Sequence, residues 1–98
     1  MHAAATSFEL HIPASRSLKA KRAAIRPIVD GLRHRFRISV AEVDHQNLWQ
    51  RATIAVAVVA ESETRVCELL DAAERFVVSA PDVELLSSQT AWLEFEEA

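Results

Sequence analysis

The spacing of apolar residues changes several times along this 98-residue chain, and that succession constrains the fold more than any other feature. Thr6, Phe8, Leu10 and Ile12 alternate with polar residues, which predicts a half-buried strand that ends at Pro13. Across residues 18–36 the apolar positions instead recur every three or four residues, which predicts an amphipathic helix. A chain that switches period in this way should place helices against a sheet.

Two helix-breaking residues, Pro27 and Gly31, lie inside the first predicted helix. An interior proline costs about 3 kcal/mol relative to alanine, and an interior glycine about 1 kcal/mol. The apolar stripe nevertheless runs through both positions. We therefore expect one kinked helix rather than two separate elements.

The second half of the chain repeats the pattern with an additional strand. Residues 38–43 and 49–60 read as two strands joined by a short polar turn, as in a hairpin. Ser62 then provides a helix N-cap, and apolar residues at helical spacing continue to Pro81. Residues 83–95 contain a last extended segment, before a tail of glutamates.

The predicted order is strand, helix, strand, strand, helix, strand. Within 98 residues this order is typical of an α+β fold, a two-layer α/β sandwich of the ferredoxin-like βαββαβ type. Right-handed crossovers would place both helices on one face of a four-stranded antiparallel sheet and leave the other face open. We find no linker or repeat and predict a single domain over residues 1–98.

Positive charge is concentrated in the first predicted helix. Eight of the eleven lysines and arginines fall within residues 16–37 with one acid, Asp30, so this segment carries a net +7. The rest of the chain has three arginines against 13 acids, a net −10. Cations aligned on a helix face suit a phosphate backbone. The residues predicted to bind nucleic acid are Arg16, Lys19, Lys21, Arg22, Arg26, Arg33 and Arg37.

Interpretations of this basic segment that involve no nucleic acid stay open. Its cations could form a solvated helix face, or pair with the acids of the second helix, which should be its neighbour. Contact with a membrane surface is a further alternative. The segment has no interleaved aromatic residue, so base stacking by the helix itself is not expected.

A polar loop follows the second strand and forms a second candidate site. We predict an interaction loop that comprises Asp44, His45, Gln46, Trp49 and Arg51. The alternative is structural, with Trp49 packed on the sheet and Asp44 capping the turn. Catalysis by His11, Glu42, Asp44 and His45 is a third possibility, but their spacing matches no strong metal motif. We expect no enzyme activity, no metal and no cofactor.

The open sheet face is the third candidate surface. Glu9 and His11 should lie there beside Thr53, Ala55 and Ala57, whose side chains are small. Uncovered apolar area is normally paired, so we expect a homodimer, with a wet sheet face as the alternative.

Localisation is predicted from what the chain contains. No apolar run approaches the roughly 18 residues of a membrane span, and the first residues do not read as a signal peptide. Cys67 is the one cysteine, which fits a reducing compartment. We expect a cytoplasmic protein without a membrane partner.

Several stretches of the sequence match a known pattern. They are LHIP (10–13), SLK (17–19), KR (21–22), SVAEVDHQ (39–46) and LWQRA (48–52). With these stretches the chain resembles, over roughly residues 7–90, the YlxP-like family of small bacterial proteins of unknown function.

This resemblance implies a ferredoxin-like sandwich and, because members are often encoded beside translation-initiation and ribosome-maturation genes, a link to translation. Two positions depart from the family pattern. Ala20 stands where similar sequences usually have Glu, which removes a capping box from Ser17. Pro27 is also unusual in the first helix.

The function we expect is that of a non-enzymatic RNA- or ribosome-associated factor, whose partner is ribosomal or other structured RNA. The alternative is a protein–protein adaptor or dimeric module that acts through the Asp44–Arg51 loop or the open sheet face.

Overall fold

Six elements follow one another in the order that the sequence predicts. A computed structural model describes residues 1–94 of the chain. Its elements are β1 (His2–His11), α1 (Leu18–Phe36), β2 (Ser39–Asp44), β3 (Arg51–Ala60), α2 (Glu63–Val78) and β4 (Glu84–Leu93). Phe95, Glu96 and Glu97, which the sequence assigns to the last extended segment and the tail, lie outside the described residues.

The four strands form one antiparallel sheet with the order β2-β3-β1-β4, so the ferredoxin-like prediction is confirmed. β1 lies in the middle and pairs along its length with both β3 and β4. Phe8, for example, has Ile54 on one side and Ser88 on the other. Two irregularities interrupt the ladders, one beside Glu9 and Leu10 and one in β2 between Glu42 and Asp44.

The core lies between the two helices and one face of the sheet. Strand residues on this face alternate with residues on the open face, as the period of two requires. The largest fully buried apolar side chains are Phe8, Leu10, Ile12, Ile28, Leu32, Ile54, Val56, Val66 and Val77. Strands β1, β3 and both helices therefore supply most of the core, whereas β4 is exposed along almost its whole length.

Helix α1 is one continuous element through Pro27, as predicted. Ser17 is its N-cap, and its Oγ accepts a hydrogen bond from the Ala20 N–H at 3.0 Å. The capping function of Ser17 is thus kept although Ala20 cannot return the second bond of a capping box. The helix ends at Phe36. The next residue, Arg37, adopts a left-handed conformation with φ 54°, and the Arg37 N–H donates to Arg33 O.

Gly31 of α1 lies directly against Phe76 of α2. A Cβ atom at this position would overlap the ring of Phe76 on α2. That ring also packs edge-on against Phe36, with centroids 5.8 Å apart. The glycine is therefore explained by helix packing rather than by backbone conformation, since its φ is an ordinary helical one.

Candidate nucleic-acid interface

Six of the seven cations predicted to bind nucleic acid are exposed, and we call this set the basic face. It comprises Arg16, Lys19, Arg22, Arg26, Arg33 and Arg37. Arg16 precedes α1, Arg37 follows it, and the other four lie on the side of the helix away from the core. The buried side of the same helix carries Ile25, Ile28 and Leu32.

In the part of the chain that the structure describes, the acids of α2 form no ion pair with the basic face. Arg65 on α2 instead pairs with Glu68 of the same helix at 3.2 Å, and Glu74 accepts a hydrogen bond from Ser88 on β4. Arg33 has a backbone partner, because its Nη2 donates to Val40 O at 2.8 Å. The alternative in which these cations pair with the acids of α2 is therefore not observed within residues 1–94.

Lys21, the seventh predicted cation, is buried, and this part of the prediction was wrong. Its side chain is 1% exposed. Its Nζ donates to His45 O at 2.8 Å, and to Gln46 O and Arg51 O at 3.3 Å each. A lysine ammonium has three N–H donors, and three carbonyl oxygens accept them here. Lys21 therefore ties α1 to the loop between β2 and β3 and cannot reach a ligand.

The charge of Lys21 is balanced by Glu42, which lies on the helix-facing side of β2. The Glu42 Oε2 atom lies 3.2 Å from Nζ, yet it has no hydrogen-bond partner. The two observations agree if the three N–H groups are directed to the carbonyls, so that the carboxylate contributes charge without a directed bond. Glu42 thus places its charge beside the ammonium group that holds the loop.

The Asp44–Arg51 loop, defined by those end residues, is held at several points besides Lys21. Gln50 Nε2 donates to Pro13 O at 3.2 Å and to Ser15 O at 3.1 Å, and Gln50 O accepts the Ile12 N–H at 2.9 Å. These bonds place the loop against the turn that precedes α1. The loop backbone is therefore fixed by groups from distant parts of the chain.

Local contacts shape the start of this loop. Asp44 Oδ1 accepts the His45 N–H at 2.8 Å, so Asp44 does cap the turn. His45 adopts φ 62°, a left-handed conformation that histidine tolerates better than most non-glycine residues. Gln46 Nε2 reaches Glu42 O at 3.4 Å.

Glu9 gathers the polar side chains at this end of the open sheet face. Its Oε1 accepts from Thr53 Oγ1 at 2.7 Å, and its Oε2 lies 3.3 Å from Arg51 Nη2 and 3.4 Å from His45 Nε2. The Nε of Arg51 is buried without a partner. His45 and Arg51, two members of the predicted interaction loop, are thus drawn onto the sheet.

Apolar side chains of the loop are exposed. Leu48 is 49% and Trp49 55% exposed, and the neighbouring Val43 is 51% exposed. Trp49 is therefore not buried against the sheet. A large aromatic side chain on a tied loop is available to a partner.

The residues considered for catalysis do not converge. His11 Nδ1 lies 3.1 Å from Glu84 Oε2 on the open face, whereas Glu42 lies on the opposite face with Lys21. His45 is engaged by Glu9. In residues 1–94, no group of three or more His, Cys, Asp or Glu side chains is arranged to hold a metal ion.

Comparison with known proteins places the chain in a family. The model of a family described as "Protein of unknown function (DUF503)" matches residues 4–90. The chain belongs to this family. It is also 32% identical over 76 residues to the "Uncharacterized protein YlxP" of Bacillus subtilis (strain 168), covering 78% of this chain and 83% of that protein. The resemblance seen in the sequence is thus confirmed.

A solved structure supports the fold independently. The solution structure of a de novo designed protein with a ferredoxin fold, LFR1 1, superposes with a TM-score of 0.55 at 9% identity. The superposition covers 99% of this chain and 88% of the designed one. At that identity the likeness concerns the fold alone.

The burial of Lys21 had a signal in the sequence. Lys21 precedes Ile25, Ile28 and Leu32 by four, seven and eleven residues, the spacing of one helical face. At 100° per residue it points with the apolar stripe and away from Lys19 and Arg22. The prediction is wrong for Lys21 because proximity in the sequence does not place a residue on the outer side of a helix.

No helix within residues 1–94 is long and apolar enough to cross a membrane.

Proposed function

We propose that this protein binds structured RNA through the basic face, as a non-enzymatic cytoplasmic factor linked to translation. Ribosomal RNA is the first candidate ligand. The observation that carries the proposal is the exposure of six cations along α1 and its two ends, with no carboxylate of α2 paired to them in residues 1–94. The link to translation rests on the family resemblance and not on geometry.

The basic face suits a phosphate backbone better than base edges. From Lys19 to Arg33 the helix rises about 21 Å, at 1.5 Å per residue, so its cations can follow several successive phosphates. A-form RNA hides its major-groove edges, and proteins recognise it by shape and backbone contacts. Arginine is suited to this role because its planar guanidinium can bind phosphate in a bidentate manner.

Salt dependence distinguishes this mode of binding. Each phosphate neutralised by a cation releases counterions, so the logarithm of the affinity should fall linearly with the logarithm of salt concentration. Up to six cations are available, which sets an upper limit to the slope. Binding through apolar contacts would change far less with salt.

The decisive experiment is co-sedimentation with small ribosomal subunits at low and moderate salt. We expect saturable binding by the wild-type chain that weakens with salt and is lost in the Arg22→Glu/Arg26→Glu variant. The matched control is Arg65→Glu/Arg75→Glu on α2, which makes the same change of four charge units at exposed positions. That control should keep most of the binding.

Two results would contradict the proposal. If the wild-type chain fails to sediment with subunits and also fails to bind total structured RNA at low salt, the basic face does not serve this function. If both charge-reversal pairs weaken binding equally, net charge rather than the basic face is responsible.

A second candidate function, a protein–protein adaptor, is favoured by the exposed Leu48 and Trp49. Exposed aromatic anchors on a pre-ordered loop are typical of interaction hot spots. Lys21 from α1, together with the bonds from Gln50 to Pro13 and Ser15, orders this loop.

The adaptor is tested by affinity capture after nuclease treatment at moderate salt. Trp49→Ala should release a captured partner, whereas Val78→Ala, which trims an exposed apolar residue on α2, should retain it. A set of captured proteins that is identical for wild type and Trp49→Ala would eliminate the loop as the adaptor surface.

A further inference from the structure

The two edge strands of the sheet, β2 and β4, differ in how well they are protected. β2 is six residues long, carries Glu42 and Asp44, and is interrupted between them by a ladder irregularity. Short length, charge and irregularity are devices by which proteins prevent unwanted pairing at an edge. β2 is therefore a poor template for another strand.

β4 has none of these protections over most of its length. It is ten residues long, and residues 85–93 include no charged residue and no proline. Its ladder with β1 is regular from Ser87 to Leu93. Within the part of the chain that the structure describes, β1 is its only strand partner, so alternate N–H and C=O groups of β4 face away from the sheet.

The outer strand also exposes large apolar side chains. Leu86 is 50%, Trp92 40% and Leu93 59% exposed. Residues 85–93 thus form an uncharged run of nine residues on an exposed edge. A long, uncharged edge with exposed apolar residues is the kind of strand that pairs with another chain.

We propose that β4 pairs antiparallel with β4 of a second copy of this chain, which joins two sheets into one of eight strands. The strand is complementary to itself. A two-fold axis normal to the sheet brings the residues near its centre beside the same residues of the other copy. Because the ladder from Ser87 to Leu93 is uncharged, such pairing opposes no like charges within it.

The open sheet face is a weaker candidate for self-association than this edge. One end of that face carries the ion pair of Glu9 with Arg51 and the polar contact of His11 with Glu84. Packing two open faces together would remove these groups from water, which costs several kcal/mol per ion unless the pairing is well satisfied. Edge pairing leaves them solvated.

This inference does not rest on the proposed RNA binding, and it is tested without RNA. Analytical ultracentrifugation over a wide range of protein concentration should show the mass doubling for the wild-type chain. Gln89→Lys/Ala91→Lys places four lysines together at the proposed interface and should leave a monomer. The matched control, Ser39→Lys/Ala41→Lys, adds the same charge to the same sheet face at the β2 edge and should dimerise like the wild type.

Cross-linking provides a second measurement that does not depend on the lysine variants folding. In a Cys67→Ser background, Gln89→Cys should cross-link to itself with a short bismaleimide. Ala55→Cys, at the middle of the open face on β3, should not.

Three outcomes would overturn the proposal. They are a wild-type chain that stays monomeric at the highest concentration, equal loss of the dimer in both lysine pairs, and cross-linking at position 55 but not at position 89. The last two would indicate packing through the open face instead.

Discussion

Lys21 and Arg22 are neighbours in sequence and carry the same charge, yet they occupy opposite environments. Lys21 is 1% exposed and bonds to three backbone carbonyls, whereas Arg22 is exposed on the basic face. The difference arises from their angle on α1. Lys21 aligns with Ile25 and Ile28 on the buried side, while Arg22 aligns with Arg26 on the outer side. A cation in a basic segment is therefore not automatically part of a binding surface.

The buried position of Lys21 also has an electrostatic consequence. A cation near the N-terminus of a helix meets the positive end of the helix dipole, which disfavours it. The carbonyl oxygens of His45, Gln46 and Arg51, together with Glu42, offset this effect and the loss of hydration. Substitution of the buried Lys21 should thus change the free energy of unfolding far more than substitution of an exposed cation of α1.

The largest effect is expected for Lys21→Met. The substitution keeps the length of the side chain but leaves Glu42 and three carbonyls without their partner. Removing one member of a buried ion pair typically costs about 3–5 kcal/mol. Urea denaturation should show a loss of this size in the free energy of unfolding.

Lys19→Met is the matched control, since Lys19 is exposed two positions away on the same helix. Its free energy of unfolding should change by less than about 0.5 kcal/mol. If Lys21→Met and Lys19→Met have equal free energies of unfolding, the contacts of the buried Lys21 do not stabilise the fold.

A medium effect is expected for Gly31→Ala. In an exposed helix interior this change would stabilise by about 1 kcal/mol. Here the new Cβ overlaps the Phe76 ring, and overpacking typically costs about 1–3 kcal/mol, so the sign should be reversed. Thermal and urea unfolding would both report the change.

The Phe76 contact predicts that Gly31→Ala and Phe76→Leu are coupled. In a double-mutant cycle the alanine should be tolerated better when Phe76 is replaced by leucine. If the two substitutions are additive, the ring does not explain the glycine.

The smallest effect is expected on the outer face. Arg22 and Arg26 are four residues apart, a spacing at which like charges destabilise a helix by about 0.2–0.5 kcal/mol. Arg22→Gln should therefore raise the free energy of unfolding by a few tenths of a kcal/mol at low salt, and this gain should vanish at high salt because exposed charges are screened. A loss of stability at low salt would mean that Arg22 has a structural partner.

Local signals in the sequence were sufficient for the elements and their order. The cap at Ser62 and the continuous helix through Pro27 are confirmed. The alternation predicts the first strand only from Thr6, because Ala3–Ala5 shows no alternation. Pairing with β3 and β4 extends β1 to His2. The third strand begins at Arg51 rather than at the predicted Trp49, since Trp49 and Gln50 belong to the loop.

The candidate site was predictable only in part, because some of its contacts join residues that are distant in the sequence. The four cations of the basic face that lie within α1 follow from helical periodicity, and periodicity also contained the evidence that Lys21 is different. Nothing local indicates that Glu9 should contact both His45 and Arg51. In the sequence, Glu9 is separated from His45 by 36 positions and from Arg51 by 42 positions.

The sequence by itself determined which segments become strands and helices, because the period of two or 3.6 depends only on neighbouring residues. Tertiary structure alone decided three things that matter for function: what accepts the donors of Lys21, where the Asp44–Arg51 loop presents Trp49, and that β4 lies at an edge. Each depends on groups that are distant in the chain and adjacent in space. A strand at the centre of a sheet and a strand at its edge can have the same local pattern, and only the order β2-β3-β1-β4 leaves the backbone of β4 unpaired on its outer side in the described structure.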